Sequence, residues 1–220
     1  MSTPMTASAP DPLVLQDRVS QERLSPYLAD ATPAGDIAAA LRLYSWNVEL
    51  SGGFFELLGY LEIILRNAMH DELTKLATAQ GAVNWFDQAA WFTAEANKDI
   101  ATAKAQLTRD GKPITPGRMV AALNFSFWRY LLGRHYDPTL WRFALFRAFP
   151  NGTGRREPVY QAVERMVKLR NRIAHHEPIF GRTHADDHGD VLTVAGWISQ
   201  DACGWIEANC RVHSVLSRRP

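Results

Sequence analysis

Apolar residues recur every three or four positions along most of this chain, and the strict alternation of a half-buried strand is almost absent. The clearest stripe lies between residues 57 and 76, where leucine and isoleucine share one helical face. Helices bury such stripes by packing against one another, so the pattern predicts an all-α fold. We expect about six to eight helices in one domain at residues 20–220, preceded by a flexible N-terminal arm at residues 1–19.

Glycine, proline and capping residues divide the chain into helical segments. Gly52 and Gly53 mark either a break between two helices or a point of close packing. The aromatic-rich residues 84–92 fit no single type of structure. The expected helices are 36–50, 54–77, 93–107, 115–133, 137–149, 157–174 and 201–216, with a polar loop at 181–190 and an extended or helical stretch at 191–198.

The charge balance excludes a protein that coats nucleic acid over its whole surface. Lysine and arginine number 24 against 23 aspartate and glutamate residues, which gives a net charge of +1. Any nucleic-acid site must therefore be a local patch. The content of 46% apolar and 21% charged residues also excludes a disordered chain.

The sequence predicts a cytoplasmic protein with no membrane partner. Residues 1–12 lack the basic and apolar regions of a secretory signal, and no window approaches the roughly 18 apolar residues of a spanning helix. Cys203 and Cys210 would lie about 10 Å apart on one helix, which is too far for a disulfide. We expect both cysteines to be unpaired and buried.

The helix expected at 157–174 carries a cation where its apolar stripe has a gap. Val163, Met166 and Ile173 lie on this stripe, and the position that should fill the gap holds Arg170. A guanidinium there is costly unless it is paired or faces an interface. The alternative is that Arg170 snorkels from the edge of the core.

Two further polar residues lie near Arg170. Asn171 and His175 are four positions apart and share a helical face. Arg170 and His175 are five positions apart, which on an ideal helix means about 140° of rotation and about 7.5 Å of rise. Their side chains converge if the helix loosens near Pro178, or if a second subunit brings its own copy alongside.

The hexapeptide RNRIAH at residues 170–175 fits the Arg-polar-x3-His signature of the HEPN (higher eukaryotes and prokaryotes nucleotide-binding) superfamily. Elsewhere the chain resembles the Abi-like, abortive-infection branch of that superfamily. Residues 41–73 resemble its N-terminal block, residues 114–150 its central block and residues 170–180 its terminal motif. The blocks occur in family order, which makes their combination more specific than the hexapeptide.

The resemblance implies an HEPN-like helical bundle with additional helices, and a metal-independent endoribonuclease without a cofactor. The motif positions of the family are Arg170, Asn171 and His175 here, so these are the candidate catalytic residues. The implied biological role is an RNA-cutting toxin of phage defence or of a toxin–antitoxin system, restrained by a protein or small-RNA antitoxin.

Metal-free RNA cleavage needs a proton acceptor, a proton donor and a group that holds the charge developing on phosphate. Histidine exchanges protons near neutral pH, since its ordinary pKa is about 6.5, and arginine offers phosphate a planar set of donors. A single histidine in each chain would have to serve as both the proton acceptor and the proton donor. We therefore expect a homodimer with residues 158–178 of both chains near the two-fold axis.

Several other residues are candidates for supporting the reaction or binding RNA. Residues 155–182 hold seven basic and three acidic side chains, which favours phosphate contact, although a solvated basic face explains them equally simply. The resemblance implies that Glu62, Arg66 and Asn67, from the first block, lie near the motif. The spacing of Glu62 and Arg66 fits equally well an exposed ladder of side chains four residues apart on one helix face. The candidates are Glu62, Arg66, Asn67, Lys168, Arg172 and His176.

Two other functions fit the residues. One is a non-catalytic helical module that binds RNA or protein. The other is a metal-dependent hydrolase built on residues 184–190, although a polar loop explains that composition without a metal. Its potential ligands are His184, Asp186, Asp187, His188 and Asp190. The seven tryptophans are expected mainly in the core, with base stacking as the alternative.

Overall fold

The computed structural model describes residues 10–220, and the regular structure in that part of the chain is entirely helical, which confirms the all-α prediction. The first nine residues of the expected arm lie outside the described part. The α-helices are α1 (Pro12–Val19), α2 (Gln21–Asp30), α3 (Ile37–Ala79), α4 (Ala94–Arg109), α5 (Pro116–Ala122), α6 (Phe125–Leu131), α7 (Arg156–Ala174), α8 (His184–Ile198), α9 (Gln200–Ala208) and α10 (Val212–Leu216).

Helix α3 is the centre of the molecule. Its 43 residues extend about 65 Å, and most of the other helices pack against it. Leu57, Leu61, Leu65, Met69 and Leu73 are fully buried, as their four-residue spacing predicts. The core of the domain therefore follows one long helix.

The chain does not break at Gly52 and Gly53, which instead allow the start of α10 to approach α3. A Cβ atom on Gly52 would lie 3.0 Å from Nη2 of Arg211, and one on Gly53 would lie 3.5 Å from Cγ2 of Val212. The separate helices expected at 36–50 and 54–77 are therefore one helix. Of the two interpretations of this glycine pair, close packing is correct.

The segments after α4 differ from the predicted helices. Residues 115–133 form two helices, because Asn124 accepts a hydrogen bond from the backbone N–H of Phe127 and caps α6. Residues 137–149 form a π-helical turn at Asp137–Trp141 and a 3₁₀ turn at Leu145–Ala148 instead of one α-helix. Apolar spacing alone does not distinguish these tighter and wider turns from an α-helix.

Three further expectations about secondary structure were wrong. The arm becomes helical at α1, where the Asp11 carboxylate accepts from the N–H of Leu13. The polar loop at 181–190 lies largely within α8, and the last helix is divided between α9 and α10. Polar composition misled the prediction at α8, since its polar side chains pair with residues outside the helix, such as Arg165 and Arg182.

Aromatic side chains fill the space beside α3. Trp85 and Trp128 are fully buried, and their ring centroids are 5.8 Å apart. Trp205 is exposed, so the core accounts for most of the tryptophans but not for this one. Cys203 and Cys210 are unpaired and partly buried. Within residues 10–220, no helix combines the length and apolarity needed to cross a bilayer.

Candidate active site

Helix α7 presents a complete apolar stripe to the core. Leu169 is buried and fills the gap between Met166 and Ile173, and Arg170 lies partly buried at the edge of the stripe. The prediction that Arg170 occupies the gap was therefore wrong. Spacings of three and four residues from Met166 to Leu169 to Ile173 leave no vacancy in the stripe.

The end of α7 is shaped by its backbone. The N–H of Glu177 donates to the carbonyl of Arg172, and the N–H of His176 donates to the carbonyl of Ile173. This pair of bonds is a Schellman motif, which satisfies the last carbonyls of the helix. Pro178 follows and cannot continue the helix. The chain therefore turns sharply directly after the predicted catalytic residues.

His176 occupies the left-handed position of this motif, where glycine is usual. Its φ angle is 55°, a conformation that costs an ordinary residue about 1–2 kcal/mol. Its carbonyl accepts a 2.6 Å hydrogen bond from Nη1 of Arg23 on α2, which holds the turn in place. A strained non-glycine residue of this kind is typical of functional sites.

Arg170 and Asn171 contact each other, whereas His175 stands apart. Nη1 of Arg170 donates to Oδ1 of Asn171 across 3.3 Å. The Asn171 carbonyl accepts from the backbone N–H of His175 at 3.0 Å. Within residues 10–220, no hydrogen bond joins the imidazole of His175 to another protein group, and the residue is exposed. The ring is thus free to meet a ligand or a second chain.

A cavity of about 390 Å³ opens beside this turn, and sequence reasoning did not identify it. His176 and Ala174 line one side of the cavity, and Tyr27, Tyr44 and Phe55 line the other. Three aromatic rings beside a histidine suit a flat, partly apolar ligand. No local sequence signal marks this cavity, because its walls come from α2, α3 and α7.

Asn47 connects α3 to the segment that follows the turn. Its side-chain oxygen accepts hydrogen bonds from the backbone N–H groups of Ile179 and Phe180, at 2.9 and 3.0 Å. Asn47 is buried, so no solvent competes for these donors. The end of α7 is therefore positioned by a residue that is distant in sequence.

Of the two basic candidates on α7, Arg172 contacts the turn that follows the helix and Lys168 is exposed. Nη2 of Arg172 donates to the carbonyl of Pro178 at 2.9 Å, and its Nη1 lies 3.5 Å from a carboxylate oxygen of Glu177. Arg172 therefore stabilises the turn. Lys168 is exposed and forms a surface ion pair with Glu164 at 3.4 Å, a contact too weak to exclude an RNA phosphate.

The first-block candidates lie midway along α3 and have no direct bond to the motif. Among the described residues, no hydrogen bond or ion pair connects Glu62, Arg66 or Asn67 with Arg170 or His175. Glu62 and Arg66 are partly buried, Asn67 is exposed, and Nε of Arg66 is buried without a hydrogen-bond partner. Their expected supporting role therefore stays a prediction.

The side chains of residues 184–190 are engaged separately instead of converging. Two hydrogen bonds join Asp187 to Arg182, and two join Asp190 to Arg165. Nε2 of His184 lies 2.8 Å from the carbonyl of Ile179. In the described part of the chain, no group of three or more His, Cys, Asp or Glu side chains is placed to hold a metal ion. The geometry thus lends no support to the hydrolase hypothesis.

His188 makes the stability of the fold sensitive to acid. Burial, and secondarily the nearby His213, lower the pKa of His188 below its ordinary value, although Glu207 acts in the opposite direction. The unfolded chain therefore binds more protons, so this contribution is full above about pH 6.5 and is lost as the pH falls toward the lowered pKa. We expect His188→Leu to reduce the loss of unfolding free energy between pH 7 and 5, measured by urea denaturation.

A matched control for this measurement is His135→Leu, at an exposed histidine. The control variant measures how much of any change follows merely from replacing a surface histidine with leucine. An unchanged pH dependence in His188→Leu would contradict the assignment.

Comparisons of the chain with family models, with curated proteins and with solved structures found no match.

Proposed function

We propose that the chain is a metal-independent endoribonuclease of the HEPN type. The observation that carries the proposal is the arrangement at the end of α7. There Arg170 and Asn171 contact each other, and the exposed imidazole of His175 follows one turn later with no hydrogen bond to the described residues. The guanidinium can hold the charge that develops on phosphate, and the imidazole can supply one of the two proton transfers that metal-free phosphodiester cleavage requires.

The reaction transfers protons at two oxygens. The ribose 2′-OH loses its proton as its oxygen bonds to the adjacent phosphorus, and the 5′-oxygen leaves with a proton. The products are a 2′,3′-cyclic phosphate and a 5′-hydroxyl. His175 takes or delivers a proton, the Arg170 guanidinium binds the phosphate oxygens, and Asn171 orients that guanidinium through its side-chain oxygen.

A second proton-transfer group would come from a second copy of the chain. Apolar side chains lie exposed beside the site, with Val48 and Phe55 both 54% exposed. They line the cavity next to His176, so a two-fold contact over this face would cover them and bring two His175 rings close together. A homodimer in which both chains complete the active site is therefore part of the proposal.

The sequence resemblance to the Abi-like family supports a toxin of phage defence or of a toxin–antitoxin system as the biological role. A protein or small-RNA antitoxin is then the expected partner.

One observation favours the alternative of a non-catalytic RNA- or protein-binding module. In the described part of the chain, Arg170 and His175 share no direct hydrogen bond. Cleavage therefore depends on the second chain or on the substrate to bring them together.

Purified protein incubated with RNA in EDTA tests the proposal. We expect cleavage with 2′,3′-cyclic phosphate ends, together with a dimeric mass by light scattering on the same sample at micromolar concentration. RNA binding without cleavage would support the non-catalytic module. Cleavage that stops in EDTA and returns with added zinc or manganese would contradict the metal-independent mechanism.

A further inference from the structure

An open cleft of about 720 Å³ lies near the other end of α7, where Gly154, two residues before that helix begins, is part of its lining. Its walls come from residues 134–146 and from Gly154. The π-helical turn Asp137–Trp141 forms much of this wall. Turns of this kind are rare and frequently occur at functional sites. The cleft has no role in the proposed reaction.

The cleft wall carries two arginines and one carboxylate, so its net charge is positive. Arg134 and Arg142 are exposed, and neither has an ion-pair partner among residues 10–220. Asp137 is the one carboxylate on the described wall, and it lies 3.4 Å from Nε of the buried Arg156, which also pairs with Glu157 at 2.7 Å. The cleft therefore attracts an anion to two free guanidinium groups.

The same wall carries an aromatic surface. Phe146 lines the cleft and is 36% exposed. The guanidinium of Arg147 lies 4.9 Å from the centre of its ring, an arrangement in which a flat cation covers an aromatic face. Trp141, which is largely buried, also lines the cleft. Arg147 takes one face of the Phe146 ring, so a flat heterocycle would stack on the exposed part of the ring that Arg147 leaves uncovered.

We infer that this cleft binds single-stranded nucleic acid. Arg134 and Arg142 contact successive phosphates, and one base stacks on Phe146. The cleft is open and larger than one phosphate requires, and free cations beside an aromatic face match a strand better than a simple anion. The 19 residues of α7 place it about 28 Å from the candidate active site. The inference concerns binding alone and does not depend on cleavage.

Fluorescence anisotropy of the full-length chain tests the inference. The probes are labelled 2′-O-methyl RNA, which cannot be cleaved through its 2′ position, and DNA of the same sequence, both about 16 nucleotides long. We expect Arg134→Gln/Arg142→Gln to weaken binding about tenfold or more at about 0.1 M salt. The slope of log K against log salt should fall by about 1.4, since each lost contact contributes about 0.7.

The matched control is Arg109→Gln/Arg118→Gln, which removes the same charge from exposed positions elsewhere. It should change the affinity less than twofold. Phe146→Ala should weaken binding about fivefold or more without changing the salt slope, because it removes stacking and leaves the charges in place.

Preference for RNA or for DNA in these titrations identifies the type of strand, and either supports the inference. Equal affinities and slopes for the two double-arginine variants would overturn it. Equal competition by polyglutamate of similar length would also overturn it, since the cleft would then be a surface for acidic proteins. Single-turnover cleavage of unmodified RNA at saturating protein, followed separately, reports on the α7 site.

Discussion

Replacing His175 with alanine is expected to lower the rate of RNA cleavage by about 10²- to 10⁴-fold, the usual contribution of a positioned acid or base. The imidazole is exposed, and among the described residues its ring has no hydrogen bond to protein, so its removal should change folding stability by no more than about 0.5 kcal/mol. A loss of activity in this variant would therefore report on chemistry. Single-turnover cleavage of a labelled RNA, with circular dichroism to check folding, measures both quantities.

Arg170 provides a second, graded test of the same site. Arg170→Ala should reduce cleavage about 10²- to 10³-fold, as expected when a donor to developing phosphate charge is removed. Arg170→Lys keeps the charge but loses the planar set of donors, so it should recover only part of the rate. The matched control is Arg109→Ala, at an exposed arginine at the end of α4. Full activity in His175→Ala would exclude that residue from the mechanism.

Replacing Asn47 with alanine is expected to destabilise the protein by about 2–4 kcal/mol. The substitution leaves the backbone N–H groups of Ile179 and Phe180 without an acceptor, and each unpaired buried donor costs about 1–3 kcal/mol. The end of α7 should loosen as well, because these bonds hold the segment that follows it. Urea denaturation followed by tryptophan fluorescence gives the change in unfolding free energy.

Two comparisons separate this hydrogen-bonding role from a general loss of packing. Asn47→Asp keeps an acceptor oxygen for both donors and should cost less than Asn47→Ala. Asn209→Ala removes an exposed asparagine and should change stability by no more than about 0.5 kcal/mol. Equal destabilisation by Asn47→Asp and Asn47→Ala would show that the two hydrogen bonds are not the cause.

The contrast between α7 and the segment at 137–149 shows what periodicity can predict. For α7 the expected range of 157–174 and the observed Arg156–Ala174 differ by one residue, because an acidic first turn and a following proline delimit a regular apolar stripe. The segment at 137–149 has comparable apolar content but forms π and 3₁₀ turns. Its 3₁₀ turn packs against α3, a contact that no local pattern encodes.

For the candidate site, too, local sequence predicted some features and missed others. The sequence singled out Arg170, Asn171 and His175 and placed them at the end of one helix, which is where they lie. It offered no sign of the left-handed His176, since that conformation usually marks glycine. It also misjudged residues 184–190, whose carboxylates pair with arginines instead of converging on one point.

Local sequence patterns predicted the all-α class, the helix that carries the candidate catalytic residues and the position where that helix ends. Each of these depends on residues within a few positions of one another, through apolar spacing, capping and proline. Three other features became visible only in the folded chain: Asn47 reaches Ile179 across 132 positions, α2 and α3 form a cavity beside His176, and Arg134 and Arg142 share a cleft. Such contacts depend on how complete helices pack together, and local sequence carries no record of that packing.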